Sequence, residues 1–242
     1  MTMEDNGSQG DAAWKSFKSI VETRRSYKQP FSDESISRDI ISRCIDAARW
    51  APSAHNAQPW RFITFYHRDK GHQALREHLL KAMGEKRAQD SIADGNDPVK
   101  AIAACTAANA KFVAVPVLIL ALMDASVLDM YPDESRRRAE HLMGTQSVAA
   151  ALQTLLLALH VSGLNACWCC APIFTDGIVH DVLGVPAAWQ AQAFITAGKG
   201  TGKPPVKESR GDGRIQGSAR HPLASISFEP GHFVPKQGGA RS

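Results

Sequence analysis

Three short segments hold the side chains most able to do chemistry. In Arg24-Arg25-Ser26-Tyr27-Lys28, three cations and a hydroxyl fall within five residues. Guanidinium forks match phosphate oxygens, a serine hydroxyl adds a neutral donor, and lysine adds a point charge. Taken alone, the segment reads first as a solvated helix terminus, where cations complement the dipole. Pro52-Ser-Ala-His-Asn-Ala-Gln-Pro-Trp60 gathers groups that donate and accept hydrogen bonds, a set suited to the amide edge of a heterocycle. A helix-to-strand turn with an aromatic anchor is the plain alternative. Gly163-Leu-Asn-Ala-Cys-Trp-Cys-Cys-Ala-Pro172 clusters Cys167, Cys169 and Cys170. Their spacing does not match structural zinc pairs, and no second pair lies nearby, so no metal site is expected. Small, soft residues at a buried strand end explain them better.

Other chemistries lack their residues. The chain has no Gly-x-Gly-x-x-Gly after a strand, no phosphate-loop motif and no Gly-x-Ser-x-Gly elbow. Its nine histidines are scattered, and His72 and His78 are wrongly spaced for a helical metalloprotease site. His160, on an apolar helix, reads as a satisfied core residue rather than a base.

The elements that must position these segments follow from periodicity. Residues 1–10 read as a disordered start. A first helix is expected over Ala12–Arg25, with Ala13, Trp14, Phe17, Ile20 and Val21 as its stripe. A second is expected from about Asp33 to Trp50, capped by Ser32. Trp60–Tyr66 reads as a strand, residues 70–90 and Val99–Phe112 as helices. The apolar run Val113–Met123 has the pattern of a strand buried on both faces, and Pro116 within it suggests an edge or bulge. The longest helix is expected over 134–162, apolar nearly all round in its later half, so something must enclose it. Strands at Asn165–Cys170 and Ala191–Gly198 flank a short helix at Asp176–Leu183.

Composition narrows the class. At 242 residues, with 44% hydrophobic and 21% charged, the chain is ordinary and globular. The net charge of +4 comes from residues 199–242, which carry eight Lys/Arg against three acids. That excess sits in a Gly/Pro-rich coil rather than on a helical stripe, which argues against nucleic-acid binding. Five cysteines, an odd number, follow a polar start with no apolar leader, so a reducing cytoplasm is expected. The most apolar stretch, Val148–Val161, is interrupted by Gln153, Thr154 and His160 and is too short for a membrane span.

Order and spacing together are more specific than any one segment. A helix ends in Arg-Arg-Ser-x-Lys, then comes Ala-Pro-Ser-Ala-x-Asn-x-Gln-Pro-Trp-Arg-Phe, and a long apolar helix is followed by Gly-Leu-x-Ala-Cys-Trp. Over residues 14–210 this resembles the nitroreductase family of FMN-dependent oxidoreductases. The stretch from Tyr131-Pro-Asp through Arg138-Ala-Glu140, with the later Cys-Trp and Ile173-Phe174, is similar to the flavin domain of enzymes that mature the deazaflavin coenzyme.

The resemblance implies an α+β three-layer sandwich, with a central mixed β-sheet flanked by helices. It implies an obligate homodimer with two flavin sites between subunits. Residues 11–210 would form the FMN-binding domain and 211–242 an extended basic arm. Arg24, Arg25 and Ser26 would hold the FMN phosphate and ribityl chain, and Lys28 would sit near the N1/C2 carbonyl edge. Ser53 and Asn56 would meet the ring or its side chain, and the backbone at Cys169–Cys170 would lie near N5 and the C4 carbonyl. Arg210, or else Lys207, would reach the phosphate from beyond the last strand. Hydride would pass from NADH or NADPH to N5 and on to a small nitro, quinone or unsaturated acceptor in ping-pong order. No catalytic side chain is assigned; His55 faces substrate or serves the turn. Many members of the family show Glu-Gly where this chain has Cys-Cys-Ala, which points to a specialised member. The alternatives are a flavin- or deazaflavin-binding module without general nitroreductase activity, and, behind it, an enzyme that acts on the flavin itself.

Overall fold

The structure, a computed structural model, describes residues 3–28, 30–202, 220 and 226. The chain divides into two compact units, Met1–Pro204 and Pro205–Ser242, and the second contributes only Arg220 and Ile226 to the described residues.

In the first unit, α1 (Met3–Thr23), α2 (Arg38–Ala48), β1 (Trp60–Tyr66), α3 (Lys70–Ala93), α4 (Pro98–Val113), β2 (Val117–Asp124), α5 (Glu134–Val161), β3 (Asn165–Cys169), α6 (Asp176–Leu183) and β4 (Trp189–Gly198) follow in order. The strands form one sheet in the order β1-β2-β4-β3. Every strand pair is antiparallel, which corrects the expected mixed sheet. The β2 run is buried on both faces as its pattern implies, a feature more common in parallel sheets. Here the burial comes from helices on both faces of an antiparallel sheet. Val117, Ile119, Ala121 and Met123 face α2 and α5 through Ile41, Cys44, Leu152 and Leu155. Leu118, Leu120 and Leu122 face α3 and α6 through Leu79, Met83 and Val179. Three layers result. Pro116 lies just outside β2, which is an inner strand, and its bulge falls instead between Ala121 and Leu122.

The bounds of α2 and α1 differ most from expectation. α2 starts at Arg38 rather than Asp33, and its cap is Ser37, whose Oγ accepts the Asp39 amide at 3.2 Å. The preceding chain is held extended: Phe31 bridges Gly200, the Ser32 amide donates to Lys199 O at 2.7 Å, and Lys199 pairs with Glu34 at 2.6 Å. Residues so tied to β4's end cannot also wind into a helix. α1 begins at Met3 and stops at Thr23, before the arginines. Its apolar stripe is not buried, since Trp14 is 61% and Phe17 52% exposed.

α5 is long and apolar enough, by length and composition, to cross a membrane. Leu152, Leu155, Leu156 and Leu159 are buried in the core, the position of a central helix.

Candidate functional site

The segment 24–28 is pinned to β3 by its one buried member. Tyr27 is buried, its amide donates to Ala166 O at 2.9 Å, its hydroxyl donates to Pro30 O at 3.0 Å, and its ring packs on Phe31. Gly200 lies so close that an added Cβ would meet the Tyr27 ring at 2.4 Å, so only glycine fits there. Ser26 forms an isolated parallel bridge with Ala166, and Ser26 and Lys28 are exposed on either side of the buried ring. Arg24 and Arg25 are half-buried beyond the end of α1. Arg25 Nη1 donates to Glu22 O and to Arg24 O, so its fork is set by the backbone it caps. Both arginines lie near His160, which donates to or accepts from Thr23 Oγ1 at 2.9 Å. Burial and then the two guanidinium charges hold the His160 imidazole below its ordinary pKa.

β3 is the other end of the sheet from β1, and the 26–27 segment covers its outer edge only at Ala166. Three residues further along, about 10 Å at a strand's rise, stand Cys169 and Cys170. Cys170 is exposed at the strand's end, and its Sγ accepts Trp168 Nε1–H at 3.1 Å. The fold thus brings Arg24–Lys28 and Cys169–Cys170 to one strand edge, with cations toward one end and the exposed Cys170 at the other.

Ser53 and Asn56 sit elsewhere, on the loop entering β1. This loop is wound unusually tightly: His55, Asn56 and Gln58 have φ of 52°, 53° and 46°. Left-handed backbone at non-glycine residues costs on the order of 1–3 kcal/mol each and persists only where surroundings enforce it. Ser53 Oγ accepts the Gln58 amide at 3.1 Å, Gln58 Nε2 donates to Asn56 Oδ1 at 3.2 Å, and the Ala54 amide donates to Ser147 Oγ on α5 at 3.2 Å. From Ser147 to His160 is thirteen residues, about 20 Å along α5. Within one chain, therefore, the 53–58 loop meets the middle of α5, while the arginines stand at its C-terminal end.

The loop's exit is locked by Asp124, whose amide donates to Pro59 O at 2.7 Å. Its carboxylate takes Arg61 Nη2 at 2.7 Å and Ser126 Oγ and N at 2.5 and 3.0 Å. Burial alone would raise the Asp124 pKa, but the Ser126 bonds and then the Arg61 charge hold it below the usual carboxylate value. A depressed folded-state pKa gives stability that is present above the unfolded value and lost as pH falls through the folded one. Asp124→Asn should lower stability at pH 7 by about 1–2 kcal/mol, with the difference vanishing on acidification. Urea titrations of both proteins from pH 7 to pH 3 check this; parallel pH profiles would contradict it.

Sequence reasoning missed one cluster. His55, Asp129 and Glu140 bring ligand atoms within 4.8 Å of one another. These residues are remote in sequence, and only Glu140 and Ser147, seven apart on one face of α5, link the loops that carry them. Lys207 and Arg210 lie outside the described residues. A cleft of about 890 Å³ between α3 and α4, lined by Leu80, Gly84, Ile102 and Cys105 among others, contains none of the expected site residues.

The Nitroreductase family model matches residues 21–199. A Methanothermobacter thermautotrophicus protein described as an NADH dehydrogenase/NAD(P)H nitroreductase is 26% identical over 148 residues, 61% of this chain and 57% of its own length. The chain thus spans little more than half of that relative. A Desulfovibrio desulfuricans protein described as a nitroreductase in complex with FMN superposes with a TM-score of 0.59 at 24% identity, covering 87% of this chain and 94% of that one. A BluB-like flavoprotein from Clostridium difficile 630 gives 0.61 at 19% identity, covering 90% and 99%.

Proposed function

This chain belongs to the nitroreductase family, and from that premise we propose that it is an FMN-dependent oxidoreductase working as a homodimer. The observation that carries the reading is the β3 edge, where the 24–28 segment, with three cations, is pinned at Ala166, about 10 Å of strand from Cys169. That span suits a ribityl phosphate with its ring beyond. Bound FMN would supply the two-electron chemistry by which reducing equivalents pass from NADH or NADPH to a small nitro, quinone or unsaturated acceptor in ping-pong order.

The protein's part is to bind and orient. Arg24, Arg25 and Ser26 hold the phosphate, with Arg210 or Lys207 completing the grip. Lys28 places a positive charge beside the N1/C2 carbonyl edge, and the Cys169–Cys170 backbone meets the N5 and C4 carbonyl edge. Ser53 and Asn56, anchored about 20 Å along α5 from the arginines, are assigned to the flavin held by a second copy. The exposed Trp14 and Phe17 on α1 supply apolar surface for such an assembly. Small acceptors stack on the open face, and no side-chain nucleophile is required.

The test is to purify the protein, record its spectrum, and follow flavin reduction by NADH and NADPH anaerobically. Yellow protein bleached by either nicotinamide is the expected result. Colourless protein that cannot be reconstituted with FMN overturns it. Flavin that binds but is never reduced assigns the chain to the binding-module alternative.

A further inference from the structure

Glu140 is only 3% exposed, yet its carboxylate is poorly satisfied. Oε1 takes a long bond of 3.4 Å from the Asp129 amide, and Oε2 has no hydrogen-bond partner among the described residues. A bare carboxylate oxygen away from water is costly unless a cation or proton sits against it. The neighbours facing it are Asp129 and His55, both exposed, with one ligand atom from each of the three within 4.8 Å of the others. A second carboxylate raises the cost of leaving the cluster without a cation, because two negative charges then share one site.

We propose that His55, Asp129 and Glu140 bind one divalent first-row transition cation. The donor set is an imidazole nitrogen and two carboxylates, which suits manganese, iron or zinc better than magnesium, whose preferred ligands are all oxygen. With metal–donor distances of about 2.0–2.2 Å, neighbouring donors sit roughly 3–3.5 Å apart. The cluster's donors, no more than 4.8 Å apart, would have to close by at most roughly 1–2 Å. Its construction allows that: Glu140 is fixed by burial, while His55 and Asp129 present exposed side chains free to turn. The backbones that carry them are already anchored to α5. Ala54, next to His55, donates to Ser147 Oγ, and Arg137 Nη1 donates to Tyr131 O and Pro132 O at 3.1 and 2.7 Å, folding the Asp129 segment back on the helix. Three protein ligands leave coordination positions open on the exposed side for water or an oxygen-bearing small molecule. The site uses none of the residues assigned to the flavin and does not depend on that reading.

The experiment is a Mn²⁺ titration of the full-length protein, followed by loss of the free-ion electron paramagnetic resonance signal. Manganese is the probe because the thiols of Cys167, Cys169 and Cys170 favour softer ions. Wild type should remove one saturable equivalent per chain. Glu140→Gln should weaken that binding about tenfold or more, as should Asp129→Asn and His55→Ala. If Glu140→Gln does not fold, the two exposed positions decide the matter alone. Absence of saturable binding by wild type overturns the proposal, and so does binding that all the folded variants retain unchanged.

Discussion

Arg76→Ala should cost about 3–5 kcal/mol of folding stability, the largest loss expected of any substitution considered for this chain. Arg76 is fully buried on α3 beneath the end of α4. Its Nη1 donates to Val115 O at 2.9 Å, and its Nη2 donates to Val113 O at 2.6 Å and to His67 Nδ1 at 2.6 Å. Guanidinium has donors only, so His67 must accept through Nδ1 and carry its ring proton on Nε2. Val113 is the last residue of α4, so the cation also lies against the negative end of that helix. No acid pairs with Arg76 in these contacts, and burial pushes its pKa down from the ordinary value. The charge is thus held by carbonyl dipoles rather than by a salt bridge. Removing the side chain leaves two buried carbonyls and an imidazole nitrogen without donors, together with a cavity between α3 and α4. Arg76→Lys keeps the charge but loses the fork, and should fall between wild type and alanine. Urea denaturation at one fixed protein concentration measures both, since association would otherwise shift the midpoint. A loss below about 1 kcal/mol for alanine would show that the carbonyls find other partners.

Arg76 also shows what the sequence could not reveal. A single arginine in a polar helical stretch looks like any solvated residue, and only the return of α4 over α3 buries it. The same holds for His55, Asp129 and Glu140, whose meeting depends on two loops closing on α5. Local signals fared better where one physical cause acts alone. Trp60–Tyr66 and Asp176–Leu183 form the strand and helix expected of them, because β-branched alternation and a glycine at 184 with φ of 62° are local facts. The start of α2 falls five residues later than its sequence implies because Ser32 and Ser37 are both competent caps, and contacts with Lys199 and Gly200 select between them. Strand direction is likewise set by tertiary pairing, and burial on both faces fits either direction, so the antiparallel sheet differs from the mixed one the resemblance implies. The three chemistry-bearing segments stood out by composition, but their grouping was not legible from periodicity. Two of them meet on the β3 edge, and the third is anchored about half of α5 away. Only the family resemblance joins all three segments through one cofactor.

On the proposed reading, Ser26→Asp should abolish the preference of this protein for FMN over riboflavin. Ser26 is exposed at the bridge to Ala166, beside half-buried Arg24 and Arg25, and its neighbour Tyr27 holds the backbone in place. A carboxylate introduced there competes for the arginines and repels an incoming phosphate, while a hydroxyl donor is lost. Hydrogen bonds to charged groups contribute about 1.5–3 kcal/mol each, so FMN affinity should fall by roughly 10- to 100-fold. Riboflavin lacks the phosphate and should bind the variant nearly as it binds wild type. Quenching of flavin fluorescence, titrated with each ligand, gives the two ratios directly. The exposed position makes a folding defect avoidable, and equal melting temperatures of the ligand-free proteins verify that point. The comparison separates a phosphate role from general damage, because damage to the fold weakens both ligands together. An unchanged ratio of FMN to riboflavin affinity would place the phosphate elsewhere on the chain and remove Arg24–Lys28 from the cofactor's binding residues.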